Sequence, residues 1–187
     1  MATAIVVAGP PASGKSSLGR ALARRLPGAL LDQDVLSGPL VAVVAGLVGA
    51  GDDLDHPRLR GLVRDARYEC LLDSAGLQLR CGTHVVIVAP FTAETQEPVR
   101  WRTVQAGLQA SGATAVHLVW LEASAQLLER RLRRRAAPRD RARLADPARL
   151  QAWLAGLRSP AVPVVPVDAS LTPERQADAV LATLGPR

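Results

Sequence analysis

The octapeptide GPPASGKS occupies residues 9–16 and contains Lys15, the only lysine among the 23 Lys and Arg residues of the chain. It fits the pattern G-x-x-x-x-G-K-[ST], a loop that binds phosphate groups through its backbone N–H groups. Arginine's planar fork suits bidentate pairing, whereas this loop needs a slender point charge that reaches the phosphate oxygens. The position of the single lysine therefore predicts a phosphate-binding P-loop.

The flanking sequence supports this prediction. Residues 4–8 (AIVVA) form a short apolar run rich in β-branched residues, which is typical of a buried parallel strand. After the loop, Leu18, Leu22 and Leu26 recur at the spacing of one helix face. Strand, loop and helix follow in the order that a P-loop requires, whereas a plain Gly/Pro turn before a helix is the weaker alternative.

The loop residues are the predicted nucleotide contacts. Backbone N–H groups at a helix N-terminus favour phosphate, and glycine permits the backbone angles that bring them together. Ser16 is expected to give its hydroxyl to Mg²⁺. The predicted phosphate-binding set is Gly9, Pro10, Pro11, Ala12, Ser13, Gly14, Lys15, Ser16 and Ser17.

The chain as a whole alternates strands with helices. The predicted strands are 4–8, 28–31, 84–89, 115–121 and 162–167. The predicted helices are 15–26, 35–50, 57–79, 97–110, 124–135, 147–157 and 173–184, and the segments 90–97 and 136–146 are predicted loops. This order predicts one α/β domain over 1–187, with a parallel sheet, right-handed crossovers and helices on both faces. Ligands of such sheets bind beyond the carboxyl ends of the strands.

Two carboxylates, Asp32 and Asp34, follow the second predicted strand in the sequence LLDQD. Crowding them at a strand end is costly unless a metal or substrate uses them. We expect Asp34 to accept the proton of an acceptor hydroxyl and to orient its oxygen. Asp32 is expected to hold a water on Mg²⁺. The alternative for either residue is that it caps the next helix.

Eight arginines lie within residues 130–143 (RRLRRRAAPRDRAR). Arg131 and Arg135 are four residues apart on one helical face, and Arg139 follows the helix-breaking Pro138. Arginines that close over a nucleotide neutralise the transferring phosphoryl group and exclude water. We therefore predict a lid over about 130–146 with these three arginines as phosphate contacts. A solvated basic helix face is the alternative.

The remaining residues of interest give weaker signals. Phe91 follows a strand end and is predicted either to pack on a substrate ring or to anchor its loop. Tyr68 and Trp101 are predicted to pack between helices. Cys70 and Cys81 lack metal-ligand spacing, which favours free thiols and a cytoplasmic location. We find no membrane-spanning pattern in the sequence.

Two nucleotide-hydrolysing classes fit poorly. No aspartate ends the strands 84–89 and 115–121, so the Mg²⁺-binding acid of motor and AAA-type ATPases is absent from its usual place. An Asn-Lys-x-Asp guanine motif is also absent, because the one lysine lies in the P-loop. The γ-phosphate is therefore expected to pass to a bound acceptor.

With its P-loop, strand-two aspartate and L-x-x-R-L-x-x-R lid sequence (128–135), the chain resembles the small P-loop kinases often described as AAA-domain ATP-binding proteins. That group includes chloramphenicol phosphotransferase, gluconate kinase, adenylylsulfate kinase, polynucleotide 5′-kinase and zeta-toxin-like kinases. The resemblance implies a five-stranded parallel sheet in the order 2-3-1-4-5. It also implies ATP and Mg²⁺ as cofactors, Asp34 as the hydroxyl-activating residue, and phosphate clamping by Arg131, Arg135 and Arg139.

The sequence departs from this group after Asp34. Many relatives carry an arginine within a few residues, whereas residues 35–50 here are uncharged. We expect this stretch to line the acceptor side, which favours a small neutral or hydrophobic hydroxyl compound. The alternatives are a nucleoside, nucleotide or nucleic-acid-end kinase, and a regulatory ATPase module. Nucleic acid is the weaker partner, and a monomer or a homodimer is expected.

Overall fold

The computed structural model describes residues 2–53 and 56–185. Five parallel strands form one sheet in the order β2-β3-β1-β4-β5, which confirms the predicted topology. Residues 1, 54, 55, 186 and 187 of the predicted domain lie outside the described residues. The strands are β1 (Ala2–Ala8), β2 (Gly28–Asp32), β3 (His84–Val88), β4 (Ala113–Glu122) and β5 (Val165–Asp168).

The helices lie on both faces of this sheet, and two predicted loops contain short helical turns. The helices are α1 (Lys15–Arg25), α2 (Gln33–Leu47), α3 (Pro57–Arg80), α4 (Thr92–Gln96), α5 (Pro98–Ala110), α6 (Ala125–Arg135), α7 (Arg141–Leu144), α8 (Pro147–Ala155) and α9 (Pro173–Leu184), with a 3-10 helix at Pro138–Asp140. The loop predictions for 90–97 and 136–146 are wrong at α4, at the 3-10 helix and at α7. Elements this short form through tertiary packing rather than through a propensity that a sequence pattern reveals.

The core has two layers, one on each face of the sheet. Along β1, Ala4 and Val6 pack with the residues of α3 and α5, whereas Ile5 and Val7 pack with those of α1 and α9. This alternation buries both faces of the strand, which explains why its sequence is a continuous apolar run. The buried central strand β1 places the P-loop at its carboxyl end.

Smaller apolar clusters attach the two segments that flank the cleft. In the lid, Leu128 and Leu132 of α6 pack against Leu150 and Leu154 of α8. On the opposite side, Val41 and Ala45 of α2 pack with Leu59 of α3. Both flanking segments therefore have apolar anchors of their own. Among the described residues, none of the helices combines the length and apolarity needed to cross a membrane.

Candidate active site

A cleft of 1460 Å³ opens at the carboxyl ends of the strands. Single small-molecule sites are commonly about 300–1,000 Å³, so this cleft has room for a nucleotide and a second ligand. The predicted site residues that line it are Gly9, Pro10, Pro11, Ala12, Gly14, Lys15, Ser16, Ser17, Asp32, Asp34, Arg131, Arg135 and Arg139. Motifs from three distant parts of the sequence therefore meet in one cleft, as the sequence analysis expects.

The P-loop backbone has the conformation of a tight cradle. Gly9 has a φ of 145°, and a Cβ there would lie 3.0 Å from Ser13 Oγ. Gly14 has a φ of 106° and precedes α1 as its N-cap. The Ser13 hydroxyl is buried and has no hydrogen-bond partner in the described part of the chain. Both glycines are thus required by backbone geometry, and the cradle fits a phosphate group.

Lys15 folds back over this cradle. Its Nζ donates to the carbonyl oxygens of Gly9 and Pro10, at 2.9 and 2.8 Å. The pKa of Lys15 is lowered to about 8, mainly by burial; Asp34 opposes this shift, and the nearby Arg135 and Arg139 contribute to it. The ammonium is therefore held beside the loop and loses its charge at a lower pH than an ordinary lysine.

Because Lys15 is protonated below its lowered pKa and neutral above it, nucleotide affinity should fall as the pH rises from 7 to 9. If only the charged lysine binds phosphate, the Kd for Mg·ADP should rise by up to about tenfold per pH unit above pH 8. Calorimetry in buffers of different ionisation enthalpy should detect proton uptake on binding at pH 9. The Lys15→Gln variant should bind weakly and without this pH step, whereas a flat wild-type profile would contradict the assignment.

Ser16 and Asp32 form a connected pair at the start of α1 and the end of β2. Ser16 Oγ donates to Asp32 Oδ2 at 2.6 Å, and Asp32 Oδ1 accepts from the backbone N–H of Asp34 at 3.0 Å. Asp32 is thus the N-cap of α2, as the alternative interpretation holds, and it also contacts the residue expected to bind Mg²⁺. A hydroxyl and a carboxylate beside a phosphate cradle fit Mg²⁺, which takes few protein ligands and completes its shell with phosphate and water.

Asp34 lies between two arginines from opposite sides of the cleft. Arg67 Nη2 of α3 donates to Oδ1 at 2.8 Å, and Arg139 Nη1 of the lid donates to Oδ2 at 2.7 Å. Burial tends to raise the pKa of Asp34, but the ion pairs with Arg139 and Arg67 outweigh it and hold the pKa below its usual range. Asp34 is therefore an oriented carboxylate, half-exposed to the cleft, at neutral pH.

The lid arginines have protein partners in this structure. Arg131 donates to the carbonyl oxygens of Ser13 and Ala169, at 2.6 and 2.7 Å, and so ties the P-loop to the segment after β5. Arg135 forms a bidentate ion pair with the buried Asp140. Phosphate contact by Arg131, Arg135 and Arg139 stays a prediction, and any such contact requires these pairs to rearrange.

The substrate-ring interpretation of Phe91 is wrong for this structure. Its side chain is fully buried in the core beneath the cleft, so the loop-anchor alternative describes it. The Phe91 backbone N–H donates to the Tyr68 hydroxyl at 2.9 Å, and the two rings pack edge to face. Tyr68, which the sequence pattern assigns to helix packing, also lines the cleft, as do Trp120 and Trp153.

Three cleft residues that the sequence analysis missed are Arg60, Arg64 and Arg67 of α3. Their i, i+4, i+7 spacing places them on one helix face, and this pattern was readable in PRLRGLVRDARY. Arg64 pairs with the buried Glu94 at 3.0 Å and lies 4.9 Å above the Tyr68 ring. The side of the cleft formed by α3 is therefore basic.

The expected lining by the uncharged residues 35–50 is also wrong. Of this stretch, only Val41 lines the cleft, because α2 turns its other apolar side chains elsewhere. Val35, Leu40, Val43 and Leu47 are exposed on the outer surface of the helix. The uncharged residues of this stretch therefore lie mostly outside the cleft, and their apolar character gives no information about a ligand that binds there.

The family follows from a comparison of the sequence with known families. The model of a family described as AAA domain matches residues 5–160, which is most of the chain. The chain belongs to this AAA domain family. No curated protein sequence is significantly similar to it.

Solved structures share the fold of this AAA-domain chain along nearly its whole length. A putative kinase from Chloroflexus aurantiacus is 23% identical with a TM-score of 0.68, covering 98% of this chain and 93% of that one. A gluconokinase from Sinorhizobium meliloti is 24% identical with a TM-score of 0.58 and coverages of 97% and 91%. The tunicamycin resistance protein of Deinococcus radiodurans is 23% identical with a TM-score of 0.58 and coverages of 100% and 98%. At these identities, the similarity establishes the P-loop kinase fold of the AAA-domain chain.

Proposed function

We propose that this chain is a Mg·ATP-dependent phosphotransferase that moves the γ-phosphoryl group to a hydroxyl of a small molecule. The observation that carries the proposal is the place of Asp34, a carboxylate fixed by two arginines in the same cleft as the P-loop. A carboxylate that faces an open part of the cleft, where a second ligand has room, suits a bound hydroxyl.

Each residue of the site has a defined task in this reaction. The loop amides and Lys15 hold the phosphates, and the cradle around Gly9 and Gly14 sets their position. Ser16 and Asp32 would hold Mg²⁺, which neutralises negative charge on the phosphate oxygens. Arg131 keeps the loop in register with the segment after β5 by binding both backbones.

Asp34 acts on the acceptor. Its carboxylate accepts a hydrogen bond from the acceptor hydroxyl and aims the oxygen at the γ-phosphorus. The oxygen forms a bond to phosphorus while the bond to the β–γ bridging oxygen breaks, and ADP leaves. The hydroxyl proton passes to Asp34 and then to water. Because the pKa of Asp34 is lowered, its main contribution is orientation, with proton transfer late in the step.

The basic cleft keeps a nucleic-acid-end kinase as the second candidate. Among the described residues that line the cleft, eleven are Lys or Arg and three are Asp. An oligonucleotide substrate would be recognised mainly through its phosphates, so its binding should weaken steeply with salt. Tyr68, Trp120 and Trp153 also line the cleft and are the aromatic side chains available for base stacking, so salt dependence is the property that distinguishes an oligonucleotide from a small acceptor.

The proposal is tested by measuring ADP release from Mg·ATP across a panel of sugars, sugar acids, nucleosides, hydroxylated antibiotics and 5′-hydroxyl oligonucleotides. We expect release to depend on one class of small acceptor, by at least about tenfold over the rate without acceptor. Slow release that no compound changes would contradict the proposal and favour a regulatory ATPase. A reaction that consumes ATP also favours the cytoplasm as its location.

A further inference from the structure

We propose that the acceptor is a small hydroxylated anion whose negative group binds at Arg60 and Arg64 while its hydroxyl lies at Asp34. This inference rests on the proposed phosphotransfer. It replaces the neutral acceptor that the uncharged residues 35–50 suggested.

The charges around Asp34 favour an anionic ligand. Arg67 and Arg139 both pair with this single carboxylate, so two positive charges face one negative charge. If Asp34 takes the proton of the acceptor hydroxyl, even that negative charge is lost for the duration of the step. An acceptor that brings its own anionic group adds a negative charge that complements these arginines in a partly enclosed cleft, whereas a neutral acceptor does not.

The arginine row on α3 offers a binding point for the anionic group. Like charges at i, i+4 destabilise a helix, so the row of Arg60, Arg64 and Arg67 is not explained by the stability of α3. Arg67 is fixed by Asp34 and by Ser37 Oγ at 3.0 Å, and Arg64 is fixed by Glu94. Arg60, one turn before Arg64, has no ion-pair partner among the described residues. It lines the cleft with its guanidinium available to an anion.

A buried hydrogen-bond donor lies beside Asp34 in the sequence. Gln33 lines the cleft, its side chain is only 4% exposed, and its Nε2 has no hydrogen-bond partner among the described residues. Buried polar groups are nearly always paired, and an unpaired one destabilises the protein that contains it. A ligand oxygen that accepts from Nε2 would satisfy it. The Gln33 amide therefore marks a third contact point for the acceptor, next to the reacting hydroxyl.

These contacts define a chemical class. Arginine guanidinium groups bind carboxylates and phosphates in bidentate geometry, so the negative group is either of these. The Gln33 amide calls for an oxygen close to the reacting hydroxyl, such as a neighbouring hydroxyl or ether. A polyhydroxylated acid and a phosphorylated sugar alcohol both carry an anionic group, a reacting hydroxyl and a neighbouring oxygen. The protein side chains that would contact these groups belong to α2 and α3, which are separate from the P-loop.

The test measures binding and turnover with matched compounds. Calorimetry on the full chain saturated with Mg·AMPPNP compares gluconate with sorbitol, glycerate with glycerol, and glucose 6-phosphate with glucose, because the nucleotide analogue blocks the P-loop. We expect the anionic member of at least one pair to bind about tenfold or more tightly than its neutral partner. The carboxylate and phosphate pairs distinguish the two kinds of anion. Equal binding of both members, or binding of oligonucleotides alone, would overturn the inference.

Variants locate the site. Arg60→Gln should raise the Kd of the anionic compound by about tenfold or more. Arg58→Gln, the same change on the outer surface of α3, should leave this Kd within about twofold of the wild-type value. Gln33→Met should weaken the binding of the same compound. It should also raise the melting temperature of the ligand-free protein, because it removes an unpaired buried donor. Equal effects of Arg60→Gln and Arg58→Gln would contradict the location. Arg64→Lys, which keeps a charge beside Glu94, provides a second variant that should fold.

The binding and turnover assays separate this inference from the function on which it rests. ADP release that responds only to neutral alcohols would support the phosphotransferase activity and contradict the anionic acceptor. Anion binding that depends on Arg60, without ADP release for any compound, would support the anion site and contradict the phosphotransferase.

Discussion

Replacing Asp34 with asparagine is expected to lower the rate of phosphoryl transfer by about 10²-fold or more, the usual range for removing a proton-accepting side chain. Asparagine keeps the size of the side chain but cannot accept the hydroxyl proton. It also presents an amide donor to Arg67 and Arg139, which have only donors to offer. The acceptor hydroxyl therefore loses both its partner and its orientation. The affinity for Mg·ATP should change by no more than a few-fold, because the P-loop contacts do not involve Asp34.

Single-turnover rates and nucleotide Kd values, measured on the same preparation, check this expectation. Asp73→Asn, on the exposed outer face of α3, is the matched control and should match the wild type. The ion pairs of Asp34 are half-exposed and contribute little to folding, so the free energy of unfolding should change by less than about 1 kcal/mol. Unchanged turnover in Asp34→Asn would contradict its role and favour a regulatory ATPase module.

The variant Arg139→Gln separates two roles of Asp34, its contact with the lid and its proposed contact with an acceptor hydroxyl. Arg139 reaches Asp34 from the lid, and Arg141 of the lid lies 3.9 Å from Asp52 on the other side of the cleft. In this structure the lid is thus held against the α3 side of the cleft by Arg139 and Arg141. Under the proposed function, an acceptor hydroxyl and the lid would compete for the Asp34 carboxylate. Arg139→Gln would free Asp34 from the lid and leave its carboxylate in place.

The sequence was sufficient to predict the fold and the position of the P-loop. Local patterns carry this information, since a buried strand, a glycine-framed loop and an amphipathic helix are each visible in short segments. The strand order also agreed with the family that the P-loop, Asp34 and the lid sequence suggested. Asp34 could be singled out because the carboxyl ends of parallel strands form the ligand-binding edge.

The partners of the arginines could not be predicted in the same way. Arg139 and Asp34 are 105 residues apart, and Arg64 and Glu94 are 30 residues apart, so no local pattern joins them. With almost every cation an arginine, residue type gives no help in finding the functional ones. The row on α3 had a readable spacing, but a basic row on a helix is also typical of a solvated face. Only the packing of α3 against the sheet turns that row toward the cleft.

Replacing Arg135 with glutamine is expected to destabilise the lid, or the whole protein, by about 2–4 kcal/mol. Asp140 is 2% exposed, and Arg135 supplies the bidentate contact to its carboxylate, with N–O distances of 2.6 to 2.9 Å. Breaking a buried pair from one side usually costs about 3–5 kcal/mol, because an uncompensated charge remains. The expected loss of stability is smaller than this because the Arg135 side chain is one-third exposed to solvent. The melting temperature should fall by about 5–15 °C.

The matched control is Arg133→Gln, two residues earlier on the same helix. Arg133 pairs with Glu129 on the exposed face of α6, so its loss should change the free energy of unfolding by no more than about 0.5 kcal/mol. A double-mutant cycle with Asp140→Asn measures the coupling directly. The double variant should be more stable than the sum of the two single changes predicts, since it leaves no unpaired charge.

Arg135→Gln also separates two roles for Arg135. The lid pattern predicts that its guanidinium contacts phosphate, whereas the structure shows it bound to Asp140. If the pair with Asp140 is its only role, the variant should melt at a lower temperature yet transfer phosphate at nearly the wild-type rate while it is folded. A phosphate contact should lower the transfer rate of the folded variant as well. A slow rate measured well below the melting temperature would therefore indicate that Arg135 leaves Asp140 for the nucleotide when the lid closes.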